Sequence, residues 1–183
     1  YGFRGDSKYR VRYKFNGSFS FRYENLINEE RGLPDYSKST VFNVRWNHSK
    51  DPKSSPNSTF SASVNFGSSD YYRQSVNQLN SSNFLNNNLS SSISYSKSFP
   101  EYPRVNISLT TAMSQNSQSK AVNLTLPTFQ ASMERIFPFA PKTGAKKGFF
   151  QNINFQYNGR AENRIITSED ALFGPRMFEN AKA

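Results

Sequence analysis

The 183 residues carry 23 Lys and Arg against 13 Asp and Glu, a formal charge of +10, and no cysteine. A disulfide framework, a thiolate zinc site and a cysteine nucleophile are thereby excluded. Ser and Asn supply 49 residues and aromatics 15%, while strong helix formers are sparse, a balance that predicts strand and loop rather than helix or general disorder.

The hydrophobic period is two residues. From Tyr9 the odd positions run Tyr9, Val11, Tyr13, Phe15, Gly17, Phe19, Phe21, Tyr23, and the even ones Arg10, Arg12, Lys14, Asn16, Ser18, Ser20, Arg22, Glu24. A two-residue turn at Asn16-Gly17 would set Phe15 opposite Ser18 and scramble the faces, so the expectation is an extended run through Gly17 or a reversal just before Tyr13. The alternation returns at Phe42, Val44 and Trp46, then at Phe60, Ala62, Val64 and Phe66 after the turn-rich 51–57. It continues at Leu89, Ser91, Ile93 and Tyr95, and at Val105, Ile107, Leu109 and Met113. Val122, Leu124 and Leu126 then give way to Phe129, Ala131 and Met133, a change of parity across Pro127 that predicts a bulge. Ile153, Phe155 and Tyr157 form the last run. The reading is an all-β antiparallel meander of about seven strands.

The connections are unequal. Residues 99–103 and 115–120 are short, whereas Ser68 to Asn88 is a long polar stretch holding Tyr71, Tyr72 and Phe84. Past Ile166 the pattern stops, and Ser168-Glu169-Asp170 is placed to cap a short helix through Phe173. The expected division is therefore a strand meander over 1–166 and a loop or short helix over 167–183 leading to further strands. With no initiator Met, no signal peptide and no apolar run near the roughly 18 residues of a membrane helix, the chain reads as an internal piece of a longer protein.

Alternation by itself allows two solvents: the apolar face packs on a second sheet in a soluble domain, or it meets lipid while the polar face lines a barrel lumen. Polar faces of Ser and Asn, long plain segments, and large aromatics expected at strand ends (Tyr23, Trp46, Tyr95, Tyr157) tilt the reading toward a transmembrane β-barrel. Seven strands do not close such a barrel, so they would form an arc of one.

No catalytic constellation is present. His48, the single histidine, has no metal-ligand spacing and reads as a polar rim residue, and the carboxylates are scattered apart from Glu29-Glu30 and Glu169-Asp170. Arg4-Gly5-Asp6 matches an adhesion tripeptide of low specificity, and the Asn-x-Ser/Thr sequons follow from composition. No cofactor is expected, and nucleic-acid binding finds no motif. Arg12, Lys14, Arg22 and Arg45 fall on the polar parity and are the candidate lumen-facing basic residues, with guanidinium and ammonium groups suited to phosphates and sugar acids.

The run from Val44 to Lys53 into Asn57–Ser68, followed in order by Ser94–Pro100, Val122–Pro127 and Arg135–Phe139, resembles the barrel of the lipopolysaccharide-assembly family LptD in its Bacteroidetes form. That resemblance covers most of Tyr9 to Ile166. It implies an outer-membrane barrel that inserts lipopolysaccharide into the outer leaflet and is not an enzyme. It also implies a plug lipoprotein of the LptE type and periplasmic lipopolysaccharide-bridge proteins reached through a jelly-roll domain absent from these residues. A lateral gate between first and last strands is implied too, and Pro127 is not assigned to it. Another outer-membrane barrel, TonB-dependent or porin-like, is the main alternative. A soluble carbohydrate-binding β-sandwich with Tyr71 and Tyr72 as sugar platforms is the other.

Overall fold

The computed structural model describes residues 1–28, 36–71, 88–141, 144–145, 148–172 and 174. Expectations placed on Glu29-Glu30, Tyr72, Phe84 and Phe173 lie outside them. Eight strands form one antiparallel sheet in sequence order: β1 (Gly2–Val11), β2 (Phe15–Asn28), β3 (Ser37–Lys50), β4 (Ser58–Gly67), β5 (Asn88–Phe99), β6 (Val105–Asn116), β7 (Ala121–Ile136) and β8 (Phe155–Ser168). β1 and β8 are the two edges.

The eighth strand, one more than the periodicity predicts, comes from a reversal hidden in the first run. β1 and β2 are joined by the three residues Arg12, Tyr13 and Lys14, closed by a 3.0 Å bond from the Lys14 N–H to the Val11 carbonyl, with Tyr13 at φ 61. The register pairs Val11 with Phe15 and Tyr9 with Gly17, so odd residues face odd residues and alternation passes through the turn unbroken. A reversal centred on a residue preserves parity and leaves no mark in the pattern. The rejection of an Asn16-Gly17 turn holds, since both residues lie in β2.

The bulge predicted at Pro127 is present, with β7 running through it. Thr110 pairs with Thr128 and Ala112 with Thr125, so Leu126 and Pro127 together stand against Thr111 of β6. On the other side Thr125 pairs with Arg164 and Thr128 with Glu162, so the same two residues stand against Asn163. One extra residue flips the parity, and both halves of β7 keep their apolar side chains on one face. Pro127 thus serves a register change in an interior strand.

Three local expectations are corrected. Ile153 belongs to no strand, because Phe150–Asn152 is a 3-10 turn and β8 begins at Phe155. β8 in turn continues through Ile166 to Ser168, and the expected helix is a 3-10 turn of Glu169–Ala171. Of the aromatics expected at strand ends, Tyr157 is near the start of β8, but Tyr23, Trp46 and Tyr95 lie well inside their strands. The strands, 10 to 16 residues long, outrun their readable alternation.

Among the described residues, packing is confined to two small clusters. Val41, Tyr71 and Leu89 are fully buried with Leu26 against them, and Val122, Leu124 and Ile165 are buried beneath Met113, Leu126 and Leu172. Among the described residues much of the apolar face stays open, with Phe19, Tyr95, Leu109 and Phe129 38–42% exposed. An uncovered aromatic face on a single sheet is not the interior of a sandwich, and the buried Tyr71 ring is not a sugar platform.

Candidate functional site

Register assigns every strand residue to a face. The polar face carries Arg4, Asp6, Lys8 and Arg10 of β1, with Ser18, Ser20, Arg22 and Glu24 of β2 opposite them. Asn43, Arg45 and Asn47 of β3 continue the row, then Asn65, Ser63 and Ser61 of β4 and the even serines of β5. β6 adds Asn106, Ser108, Thr110 and Ser114, and β8 closes the face with Asn158, Arg160, Glu162 and Arg164. Three open depressions of 560, 510 and 520 Å³ are lined chiefly from this face.

Hydroxyl pairs knit the middle of the face. Thr59 and Ser96 lie 2.6 Å apart, Ser61 and Ser94 2.8 Å, and Asn43 donates to Asn65 at 3.0 Å. Such pairs satisfy one another across strands and leave lone pairs and protons for a hydrated or sugar-bearing occupant.

The cations gather at the two edges. Arg4 and Arg22 are directly opposite in register, a like-charge pair that is unfavourable unless each finds another partner. Arg4 donates to Asp6 at 2.6 Å, and Arg22 donates from Nη1 to the Tyr71 hydroxyl at 3.3 Å. Arg45 lies opposite Ser20, one strand over. At the far edge Arg160 and Arg164 both reach Glu162, at 2.5 and 3.1 Å, which leaves one net positive charge among the three.

Of the four basic residues predicted from parity, Arg22 and Arg45 lie on the polar face of β2 and β3. Arg12 and Lys14 lie instead in the β1–β2 turn, where Arg12 stacks on Tyr13 with its guanidinium carbon 4.8 Å from the ring centroid. Arg4, Lys8, Arg160 and Arg164 were missed, although their even numbers continue the parity of Arg22 and Asn158. His48 is also misplaced by the rim reading. Its parity is that of Trp46, and it sits on the apolar face with Nδ1 2.9 Å from the Tyr9 hydroxyl and its ring 5.3–5.5 Å from Phe60 and Phe15. Among the described residues no group of three or more His, Asp or Glu is gathered to hold a metal.

One comparison identifies the family. A family model described as LptD protein matches residues 1–183. No curated protein and no solved structure gives a match. The chain belongs to the LptD family, outer-membrane β-barrel proteins of lipopolysaccharide transport and assembly.

Proposed function

We propose that this chain forms an arc of barrel wall past which lipopolysaccharide is inserted into the outer leaflet, its polar face toward the lumen and its apolar face toward lipid. The observation that carries this reading is the alternation kept from strand to strand, bulge included: Ser, Asn and cations on one face and exposed aromatics on the other, the exceptions being Leu26 and Val41, which pack with Tyr71 on the polar side. In hydrocarbon an uncovered aromatic face is favourable and an unpaired strand edge is not. The edges β1 and β8 therefore call for neighbouring strands. The LptE-type plug and the periplasmic bridge proteins come with this reading, the bridge contacts lying outside these residues.

On the lumen wall, Arg22 and Arg45 with Arg4, Lys8 and Arg10 offer guanidinium and ammonium donors to phosphates and sugar acids. The central Ser and Asn rows offer weaker, exchangeable hydrogen bonds to neutral sugars, so the glycan is held without being trapped.

A photo-crosslinking residue placed in turn along β5 of the full-length protein in cells tests the reading. Positions 92, 94 and 96 are expected to capture lipopolysaccharide, and 93 and 95 phospholipid. Capture without this alternation would count against the assignment of faces.

A further inference from the structure

A fourth depression lies apart from the lumen wall, on the apolar side at the Tyr13 end of the sheet. It measures 340 Å³ and is lined by Lys14, Phe15, His48, Lys50, Ser54 and Phe60. Three of these are rings: His48 stacks on Phe15 at 5.5 Å and meets Phe60 edge-on at 5.3 Å. The other side is cationic. Lys50, the last residue of β3, is half-buried and held by a 2.6 Å bond to the buried Ser58 hydroxyl, not by a carboxylate. Lys14 stands in the turn, its N–H donating to the Val11 carbonyl at 3.0 Å and its carbonyl accepting from the Asp51 N–H at 2.8 Å. Arg12 and Lys53 stand nearby on the Tyr13 ring, at 4.8 and 5.7 Å from its centroid. Against these four cations the local segment 51–57 supplies one carboxylate, Asp51, whose Oδ1 accepts from the Lys53 N–H.

A half-buried ammonium bonded only to a neutral hydroxyl, beside a second lysine and above an aromatic floor, is short of an anion. A hydrogen-bond chain fixes the floor: Trp46 Nε1 donates to the Tyr9 oxygen at 2.8 Å, and that hydroxyl lies 2.9 Å from His48 Nδ1. We infer that this depression is a site for the phosphate of an anionic membrane lipid, held between Lys14 and Lys50 with its acyl chains laid over Phe15, His48 and Phe60. The site rests on the barrel reading, because only then do aromatic floor and cationic rim coincide with the boundary between hydrocarbon and water. It is distinct from the lumen path, being on the opposite face of the sheet.

The test uses the full-length protein in nanodiscs of mixed phosphatidylglycerol and phosphatidylcholine, with retained lipid weighed by native mass spectrometry after extraction. Phosphatidylglycerol is expected to be retained over phosphatidylcholine by about tenfold or more, the scale of one charge-assisted hydrogen bond. Lys14→Gln with Lys50→Gln is expected to abolish the preference, and Lys14→Arg with Lys50→Arg to keep it. Should the double Gln variant not fold, Lys14→Glu alone, in an exposed turn, is expected to lose the preference. Equal retention by wild type and charge-removed variants overturns the inference, as does displacement of the lipid by inorganic phosphate, which marks a free-phosphate site. A protein that never inserts into the bilayer defeats the barrel reading itself; one that inserts without lipid preference defeats only this site.

Discussion

The side chain of Tyr9 on β1 lies across the α-carbon of Gly17 on β2, its partner in register, and a Cβ at Gly17 would collide with the Tyr9 hydroxyl and the Asn47 carbonyl. Gly17 therefore opens the space through which Tyr9 reaches Trp46 and His48 on β3, two strands away. An aromatic ring laid over a strand glycine also shields backbone that would otherwise be bare.

Two substitutions separate the parts of that arrangement. Gly17→Val is expected to destabilise the folded barrel by roughly 1–3 kcal/mol through overpacking against the β3 backbone. Tyr9→Phe keeps the ring over Gly17 but removes both hydroxyl bonds, a loss of about 1 kcal/mol each. Denaturant unfolding in lipid vesicles, followed by the fluorescence of the single Trp46, measures both. In the Tyr9→Phe protein the emission is expected to shift before unfolding begins, because the indole N–H has lost its acceptor.

The bulge in β7 predicts an unusual tolerance. Deleting Pro127 leaves Leu126 alone against Thr111 and Asn163, which restores one-to-one pairing and keeps every flanking side chain on its present face. Deleting Thr110 from β6 instead drives half of that strand to the wrong face. Heat-modifiable gel migration is expected to show a folded protein for the first deletion and none for the second.

Face assignment is tested by placing one charge at two neighbouring positions. Leu109→Arg puts a guanidinium on the exposed apolar face, at an expected cost of about 2–4 kcal/mol if that level is near the bilayer midplane. Ser108→Arg adds the same group to the polar face opposite Gln130 and is expected to be near neutral. Equal costs in vesicle unfolding would contradict the reading of which face meets lipid.

The lumen cations and the turn cations are expected to differ in function. Arg22→Gln with Arg45→Gln should lower lipopolysaccharide crosslinking from position 94 several-fold, while Arg12→Gln leaves it unchanged. The Arg22 change also removes a donor from the buried Tyr71 hydroxyl. A melting measurement and an Arg22→Lys variant, which keeps the charge, separate lost packing from lost anion binding.

At the opposite end of the sheet Glu169 receives hydrogen bonds from the Ser69 N–H and hydroxyl, tying residues 100 positions apart. Glu169→Ala is expected to raise amide exchange at Ser69 and around Gln115, whose side-chain amide donates to the Gly67 carbonyl at 2.9 Å, without altering the strand interiors.

The sequence by itself determined the class of the fold and the identity of its two faces, because a strand presents successive residues to opposite sides and a period of two survives in the order of residues. It determined the bulge for the same reason: one extra residue reverses the parity after Pro127, and that reversal is visible. It left the Tyr13 turn as one of two alternatives, a reversal just before Tyr13 or an extended run through Gly17, since a reversal centred on a residue sends odd residues back against odd ones and leaves the alternation intact. Tertiary structure decided what depends on neighbours two or more strands away. His48 shares the face of Trp46 by parity and is fixed there by the Tyr9 hydroxyl reaching over Gly17, Tyr71 became core because Val41 and Leu89 close over it, and Lys14 stands off the polar face because the chain turns there. Parity fixes a side chain's face only once the strand's ends are known, and those ends are set by cross-strand hydrogen bonds between residues far apart in the chain.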